Sequence, residues 1–388
     1  MKNLSLLLIL AALHVPAILL AQENIGKERP KITSPQVSKD NIIEFQLYAP
    51  EAQVVYVNGN WMEKPDLGIA MQKMQDGVWR LDKQQLGSDL YQYTYTVDGV
   101  RINDPSNVYQ VRDVNNVFNY FIGNGGVAEL YKTQSVPHGT MIKQWYPSAL
   151  NKAERRMTVY TPPGYESSKE KLPVLYLLHG MGGDEDAWPT LGRVAQIMDN
   201  LIAAGQAKPM IVVMPNGHTS NVAAPGSSEK GEYPIEFYTP DVGTGDMESS
   251  FMEIVQFVEK NYRVKKGKAD RAIAGLSMGG SHSLFISAFN PDTFDYVGLF
   301  SAAFRINDKV KREVYDQFDA NLKKQQANGL KLYWIGMGKT DFLYQTGVDF
   351  RKRLDAVGLK YTYHESEGGH TWSNWRQYLV EFVPQLFQ

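Results

Sequence analysis

Cysteine is absent from all 388 residues. That one absence excludes disulfides, thiolate metal sites and a cysteine nucleophile, so any covalent catalysis must use another side chain. A basic excess is missing as well. Lysine and arginine number 40 against 42 aspartates and glutamates, the formal net charge is -2, and no basic run interleaves with aromatics. This balance argues against nucleic acid as a partner. Ordered ligand spacing is also lacking. The seven histidines are scattered, and Asp241, Asp246 and Glu248 follow no metal-binding pattern, so neither a metal nor another cofactor is expected. An apolar run approaching the length of a membrane span occurs at the N-terminus, where Met1-Lys2-Asn3 precedes the stretch Leu4 to Leu20 and then Ala21-Gln22. Interrupted by His14 and Pro16, the stretch is short for a bilayer span of about 20 residues. Its charge, length and small-residue ending are those of a secretory signal. We therefore expect 1–21 to be removed after Ala21 and the product to be secreted or periplasmic, without stable membrane insertion. No cysteine is present at that site for lipid attachment.

What the chain does have is apolar material, 43% of its residues with 12% aromatic, enough for two domains with an extensive core. Between residues 30 and 123, short segments rich in Val, Tyr, Ile and Phe alternate with turns: Ile42 to Tyr48, Val54 to Asn58, Gly77 to Leu81, Tyr91 to Val97 and Val117 to Ile122. Their period of two predicts an all-β sandwich. Glycine, proline and polar residues then mark 124–138 as a linker. From 139 to 388 the pattern changes. Nearly continuous apolar runs at Leu172 to Leu178 and Met210 to Met214 read as buried parallel strands. Further strands at Arg271 to Ala274, Tyr296 to Ser301, Leu330 to Met337 and Lys360 to Glu365 alternate with helical stretches, which predicts a doubly wound, mostly parallel α/β domain.

Gly275-Leu276-Ser277-Met278-Gly279-Gly280 follows the apolar strand Ala272-Ile273-Ala274 and opens a helix. A serine on so sharp a turn is driven into uncommon backbone geometry, and glycines two residues before and after let strand and helix pass closely. Ser277 is the nucleophile this context selects over a plain turn serine. Its hydroxyl needs a base. His370 qualifies, because Gly368-Gly369-His370-Thr371-Trp372 links the last strand to the C-terminal helix. His282 inside a helix and His364 inside a strand read as packing or surface residues. The acid that fixes the histidine should lie between the two in the chain, at a strand end. Asp341 meets both conditions, with Glu365 and Glu367 in reserve. Two backbone N–H groups must meet the oxyanion: Met278, directly after the serine, and Met181 in the glycine loop His179-Gly180-Met181-Gly182-Gly183. His179 reads as a brace of that loop.

These motifs resemble a known family. Tyr160-Thr161-Pro162-Pro163-Gly164-Tyr165, Pro173 to Gly183, Trp188, Pro209 to Gly217, Gly275 to Gly280 and Gly368 to Trp372 with Trp375 together resemble the bacterial esterase-D or carbohydrate esterase family 1 group, which includes feruloyl esterases. The resemblance covers roughly 137–388. It implies an α/β-hydrolase fold, a Ser277-His370-Asp341 triad with Met181 and Met278 as oxyanion donors, and serine carboxylesterase activity. Ala49-Pro50, Val55 to Trp61, Asp76-Gly77-Val78-Trp79, Tyr93 to Gly99 and Asp104-Pro105 resemble the immunoglobulin-like family 48 carbohydrate-binding type. The pair implies an ester-decorated plant polysaccharide as substrate, with hydroxycinnamoyl groups removed from arabinoxylan. Acetyl xylan and siderophore esterases are the enzymatic alternatives, and an inert carbohydrate-binding protein the non-enzymatic one. Trp61 and Trp79 either stack on sugar or fill the sandwich core. Trp188 either contacts substrate or braces the oxyanion loop. The segment His218 to Asp246 is either a disordered insertion or a substrate-facing loop; as the latter, it offers Tyr233 and Tyr238 to an aromatic acyl group.

Overall fold

The computed structural model describes residues 31–229, 237–304 and 311–388; the expected signal segment 1–21 and Tyr233 lie outside the described residues. Ten short strands come first: β1 (Gln36–Val37), β2 (Ile42–Tyr48), β3 (Val55–Gly59), β4 (Ile69–Ala70), β5 (Gln72–Lys73), β6 (Val78–Gln85), β7 (Leu90–Val97), β8 (Val100–Ile102), β9 (Gln110–Asp113) and β10 (Asn116–Ile122). They pair antiparallel in two sheets, ordered β1-β2-β6-β5 and β4-β3-β7-β10-β9, with β8 beside β7. Alternation decides which side chains turn inward. Ile43, Phe45 and Leu47 of β2 are buried while their neighbours are not, and they share one core with Val57, Trp79, Tyr93 and Phe121. Trp79 is thus core filling, its indole N–H donating to Ala49 O over 2.9 Å. Trp61 stacks one face on Phe45, with ring centroids 5.6 Å apart.

The stretch 124–138 is packed rather than free. Ala128 and Tyr131 of α1 (Ala128–Tyr131) are buried, and the Asn200 side chain donates to the carbonyls of Leu130 and Lys132 over 3.0 Å each. Thr33–Gln388 accordingly forms one compact unit.

Eight strands build the larger sheet: β11 (Thr140–Ser148), β12 (Ala153–Thr161), β13 (Val174–Leu178), β14 (Ile211–Pro215), β15 (Arg271–Leu276), β16 (Tyr296–Phe300), β17 (Leu332–Gly338) and β18 (Thr362–Ser366). Their order is β11-β12-β14-β13-β15-β16-β17-β18. β11 and β12 pair antiparallel with each other and β12 antiparallel with β14, whereas every pairing from β14 to β18 is parallel. The connecting helices are α2 (Ala187–Thr190), α3 (Val194–Ala203), α4 (Asp246–Asn261), α5 (Met278–Phe289), α6 (Phe318–Ala327), α7 (Tyr344–Val357) and α8 (Trp372–Phe382). α4 to α7 cover one face, burying Phe251, Leu284, Leu322 and Phe350. α3 and α8 cover the other with Ile197, Met198, Leu379 and Phe382. Covered on both faces, β13, β14 and β16 are buried at every position, as strands in a doubly wound sheet must be. From β13 the chain steps to β14 on one side and returns to β15 on the other. That reversal opens a crevice at the carboxyl ends of β13 and β15. Among the described residues no helix is long and apolar enough to cross a membrane.

Candidate active site

β15 carries buried Ala272, Ile273 and Ala274 to the crevice and ends at Leu276; α5 begins at Met278. Ser277, between them, has φ 53° and ψ -115°, a region that costs a residue with a side chain on the order of 1–3 kcal/mol. The surroundings hold it there. Its N–H donates to Phe300 O over 2.9 Å, and its carbonyl accepts from Ser281 and Ala303, each at 3.1 Å. A side chain at Gly275 would collide with the Gly279 carbonyl, and one at Gly279 with the carbonyls of Leu178 and His179. Both glycines are thereby required for the close passage.

Asp341 sits three residues beyond the end of β17 and is 4% exposed. His370 lies in the loop from β18 to α8 and donates from Nδ1 to the Asp341 carboxylate, at 3.1 Å from Oδ1 and 3.0 Å from Oδ2. The two loops are stitched together: Thr340 N–H donates to Gly368 O over 2.9 Å, and Asn374 Nδ2 to Gly369 O over 2.8 Å. Burial pushes the Asp341 carboxyl pKa up, but hydrogen bonds from His370 and from the Leu343 N–H, with the histidine's charge, outweigh it and hold the group below the usual carboxylate value. Aspartate is therefore ionised, and Nδ1 carries the imidazole proton. Nε2 of His370 is left without a protein partner among the described residues. No hydrogen bond joins it to Ser277 Oγ, although both residues line one cavity; such contacts often tighten only around substrate.

The glycine loop after β13 is held from two sides. Buried His179 donates from Nδ1 to Gly180 O and accepts at Nε2 from the Gly217 N–H, both at 2.7 Å. Desolvation, reinforced by the neighbouring His218, lowers its pKa to about 3, so the ring is neutral with a fixed tautomer. His218, also buried, accepts the Gly182 N–H at Nε2 over 3.2 Å and donates from Nδ1 to Thr239 Oγ1 over 2.8 Å. Its place in the site was not read from the sequence, since its partner Gly182 is 36 residues away. Among the described residues the amides of Met181 and Met278 have no hydrogen-bond acceptor. Met181 and Ser277 line the same cavity, and the Met278 amide begins α5 directly after the serine.

That cavity measures about 670 Å³. Leu276, Phe342, Trp372 and Trp375 give it an aromatic and apolar wall beside Ser277 and His370, and Phe237 and Tyr238 reach it from the segment after β14. The arrangement has what acyl transfer requires: a strained serine, a histidine oriented by a buried carboxylate, and two amides without an acceptor among the described residues. The model of the Esterase family matches residues 148–386, more than half of the sequence. The chain belongs to the Esterase family. It is 29% identical over 368 residues to an endo-1,4-beta-xylanase/feruloyl esterase of Xylanibacter ruminicola, which covers 91% of this chain and 46% of that protein. The chain thus spans less than half the length of that curated relative. An acetyl esterase of Caldicellulosiruptor saccharolyticus is 26% identical over 239 residues, 54% of this chain and 82% of its own. Among solved structures, a ferulic acid esterase of Anaeromyces mucronatus in complex with ferulic acid is 26% identical with TM-score 0.54, covering 66% of this chain and 93% of that one. An enterobactin esterase of Shigella flexneri, 15% identical, shares the fold over 89% of this chain and 93% of its own at TM-score 0.62.

Of the two readings of Trp188, the structure supports the brace and not the substrate contact. Trp188 is 0% exposed and does not line the cavity. Its indole N–H donates to Leu178 O over 3.0 Å, and its ring meets Trp372 edge-on at 5.3 Å, so it braces the strand end from which the glycine loop departs. Tyr238 lies at the rim, 72% exposed. His282 pairs with Glu248 in the interior at 2.8 Å, and His364 stacks on Trp334; neither lines the cavity. Among the described residues no group of three or more His, Cys, Asp or Glu is placed to hold a metal ion.

Proposed function

We propose that this esterase is a secreted serine carboxylic ester hydrolase that releases ferulate or related hydroxycinnamates from arabinoxylan. The observation that carries the reading is the shared cavity, in which Ser277, the Asp341-anchored His370 and an aromatic wall converge. Ser277 Oγ attacks the ester carbonyl while His370 Nε2 takes its proton. The oxyanion that forms is met by the Met181 and Met278 amides, which have no other acceptor among the described residues. Collapse of the intermediate breaks the ester C–O bond. His370 returns the proton to the departing sugar oxygen, which leaves as a hydroxyl, and water then repeats the sequence on the acyl-enzyme to release the acid.

The aromatic wall favours a planar hydroxycinnamoyl acyl group over acetyl, because flat rings complement aromatic faces. The β-strand region, read as a family 48-type accessory domain, agrees with a polysaccharide substrate. Hydrolysis of methyl ferulate compared with a small acetyl ester tests the acyl preference, and no turnover of the ferulate overturns it. Ser277→Ala tests the mechanism: kcat should fall by about a millionfold, and unchanged activity would rule the serine out.

A further inference from the structure

The ten-strand region does more than lie beside the esterase sheet. It reaches both loops that bear the reacting groups. Arg112, at the end of β9, donates from Nη2 to Asp184 Oδ2 over 2.5 Å, and its Nη1 donates to Val114 O over 2.8 Å. Asp184 directly follows Gly183 of the oxyanion loop, is buried, and caps the next turn by accepting the Asp186 N–H over 2.9 Å. Val114 of the same β9–β10 turn packs on Gly182, where an added Cβ would stand 2.9 Å from its Cγ2. The other loop is gripped in the same manner. Asp89, between β6 and β7, accepts from Ser373 Oγ and, over 2.9 Å, from Arg376 Nη2, and both donors sit on α8 within six residues of His370. Arg376 is buried at this seam and also donates to the carbonyls of Leu90 and Leu191.

A module that only delivers polysaccharide needs none of this. Partly buried charge pairs hold geometry at the expense of desolvation, and here they end on the loops that carry the proposed oxyanion donor and base. We propose that the β-strand region is a working part of the catalytic centre, in which Arg112 is a positioning residue that sets the oxyanion loop through Asp184. The inference rests on the serine-hydrolase reading above. An amide aimed at an oxyanion matters in the transition state and hardly at all to the bound ester, so its misplacement lowers kcat rather than raising KM.

The test uses the full chain and 4-nitrophenyl acetate, an ester with no sugar for an accessory module to hold. Arg112→Ala should lower kcat about tenfold to a hundredfold with KM within about twofold, by comparison with the loss of one oxyanion donor. Arg112→Lys keeps the charge without the fork and should fall between it and wild type. The exchange Arg112→Asp with Asp184→Arg should recover most of the loss. Melting curves accompany each variant, and rates are read well below the lowest transition. An unchanged kcat in Arg112→Ala, or a lowered melting temperature as the sole effect, overturns the inference. So does an effect seen only as raised KM on feruloylated xylan, which would make the region a sugar-binding module alone. If Arg112→Ala does not fold, Arg112→Lys and the exchange variant decide by the same kcat criterion. Failure of the underlying reading looks different: Ser277→Ala would then hydrolyse the ester as wild type does.

Discussion

The Gly182 amide donates to His218 Nε2 over 3.2 Å, tying the glycine loop after β13 to the segment that follows β14. Removing the ring leaves a buried N–H without an acceptor, at a cost of about 1–3 kcal/mol that the loop relieves by moving. His218→Ala should therefore lower kcat about tenfold or more on any ester, with KM nearly unchanged. His218→Gln, which returns an acceptor, should recover part of it. Steady-state kinetics on one small ester checks both, and a pure KM effect would assign His218 to substrate contact instead.

His179 predicts a pH dependence of stability. Its ring stays neutral in the folded chain down to about pH 3, because burial disfavours the cation. The unfolded chain takes up the proton near the ordinary value of about 6.5. Between those values the unfolded state binds more protons, so this contribution is neutral above about pH 6.5 and costs progressively more stability as pH falls. At pH 5 the cost is about 2 kcal/mol. His179→Gln keeps a donor and an acceptor but does not titrate. Urea unfolding at pH 7 and pH 5 should show wild type losing more stability than the variant by about that amount. Equal losses would contradict the assignment.

Whether a feature could be read from the sequence depended on whether its cause was local. The strand β15, the elbow at Ser277 and the start of α5 are neighbours in the chain, so glycine spacing and apolar patterning suffice to find them. Asp341 and His370, 29 residues apart, were reachable because chain order and strand ends restrict the choice. The β9–β10 and Asp89 contacts were not, since Asp89 and Arg376 stand 287 residues apart and nothing in either neighbourhood marks the pair. Trp188 was ambiguous for a different reason: a large amphipathic ring suits a pocket or a core equally well. The β11–β12 hairpin was not marked, because β11 is an edge strand with exposed Thr140, Lys143, Trp145 and Pro147 and little apolar alternation. α6, with Lys323-Lys324-Gln325-Gln326 at its centre, has a narrow apolar face and was passed over.

Gly279 is a sharp test of the elbow. A methyl group there meets the backbone carbonyls of Leu178 and His179, which cannot rotate aside. Gly279→Ala should destabilise the fold by about 1–3 kcal/mol and shift the Met278 amide and Ser277 together, reducing kcat/KM by about a hundredfold or more. Gly205 is the control, with no atom within 4 Å of an added Cβ and only its φ of 66° opposing a side chain. Gly205→Ala should cost some stability and leave kinetics unchanged. Melting curves and small-ester kinetics on the two variants separate strain at the elbow from strain elsewhere.

Phe342 bears on the acyl group. It is 75% exposed, yet its ring centre is 4.6 Å from that of His370 on the cavity wall. A residue so exposed contributes little to folding, so Phe342→Ala should leave the melting temperature within a degree or two. If the wall receives a hydroxycinnamoyl ring, the variant loses one aromatic contact, about 0.5–1.5 kcal/mol, or roughly two- to tenfold in kcat/KM for methyl ferulate. An acetyl group has no ring to stack there, and its hydrolysis should not change. Parallel loss on both esters would instead mean that Phe342 acts through His370, by limiting the imidazole's orientation, and the acyl specificity would have to be sought deeper in the cavity, at Trp372 and Trp375.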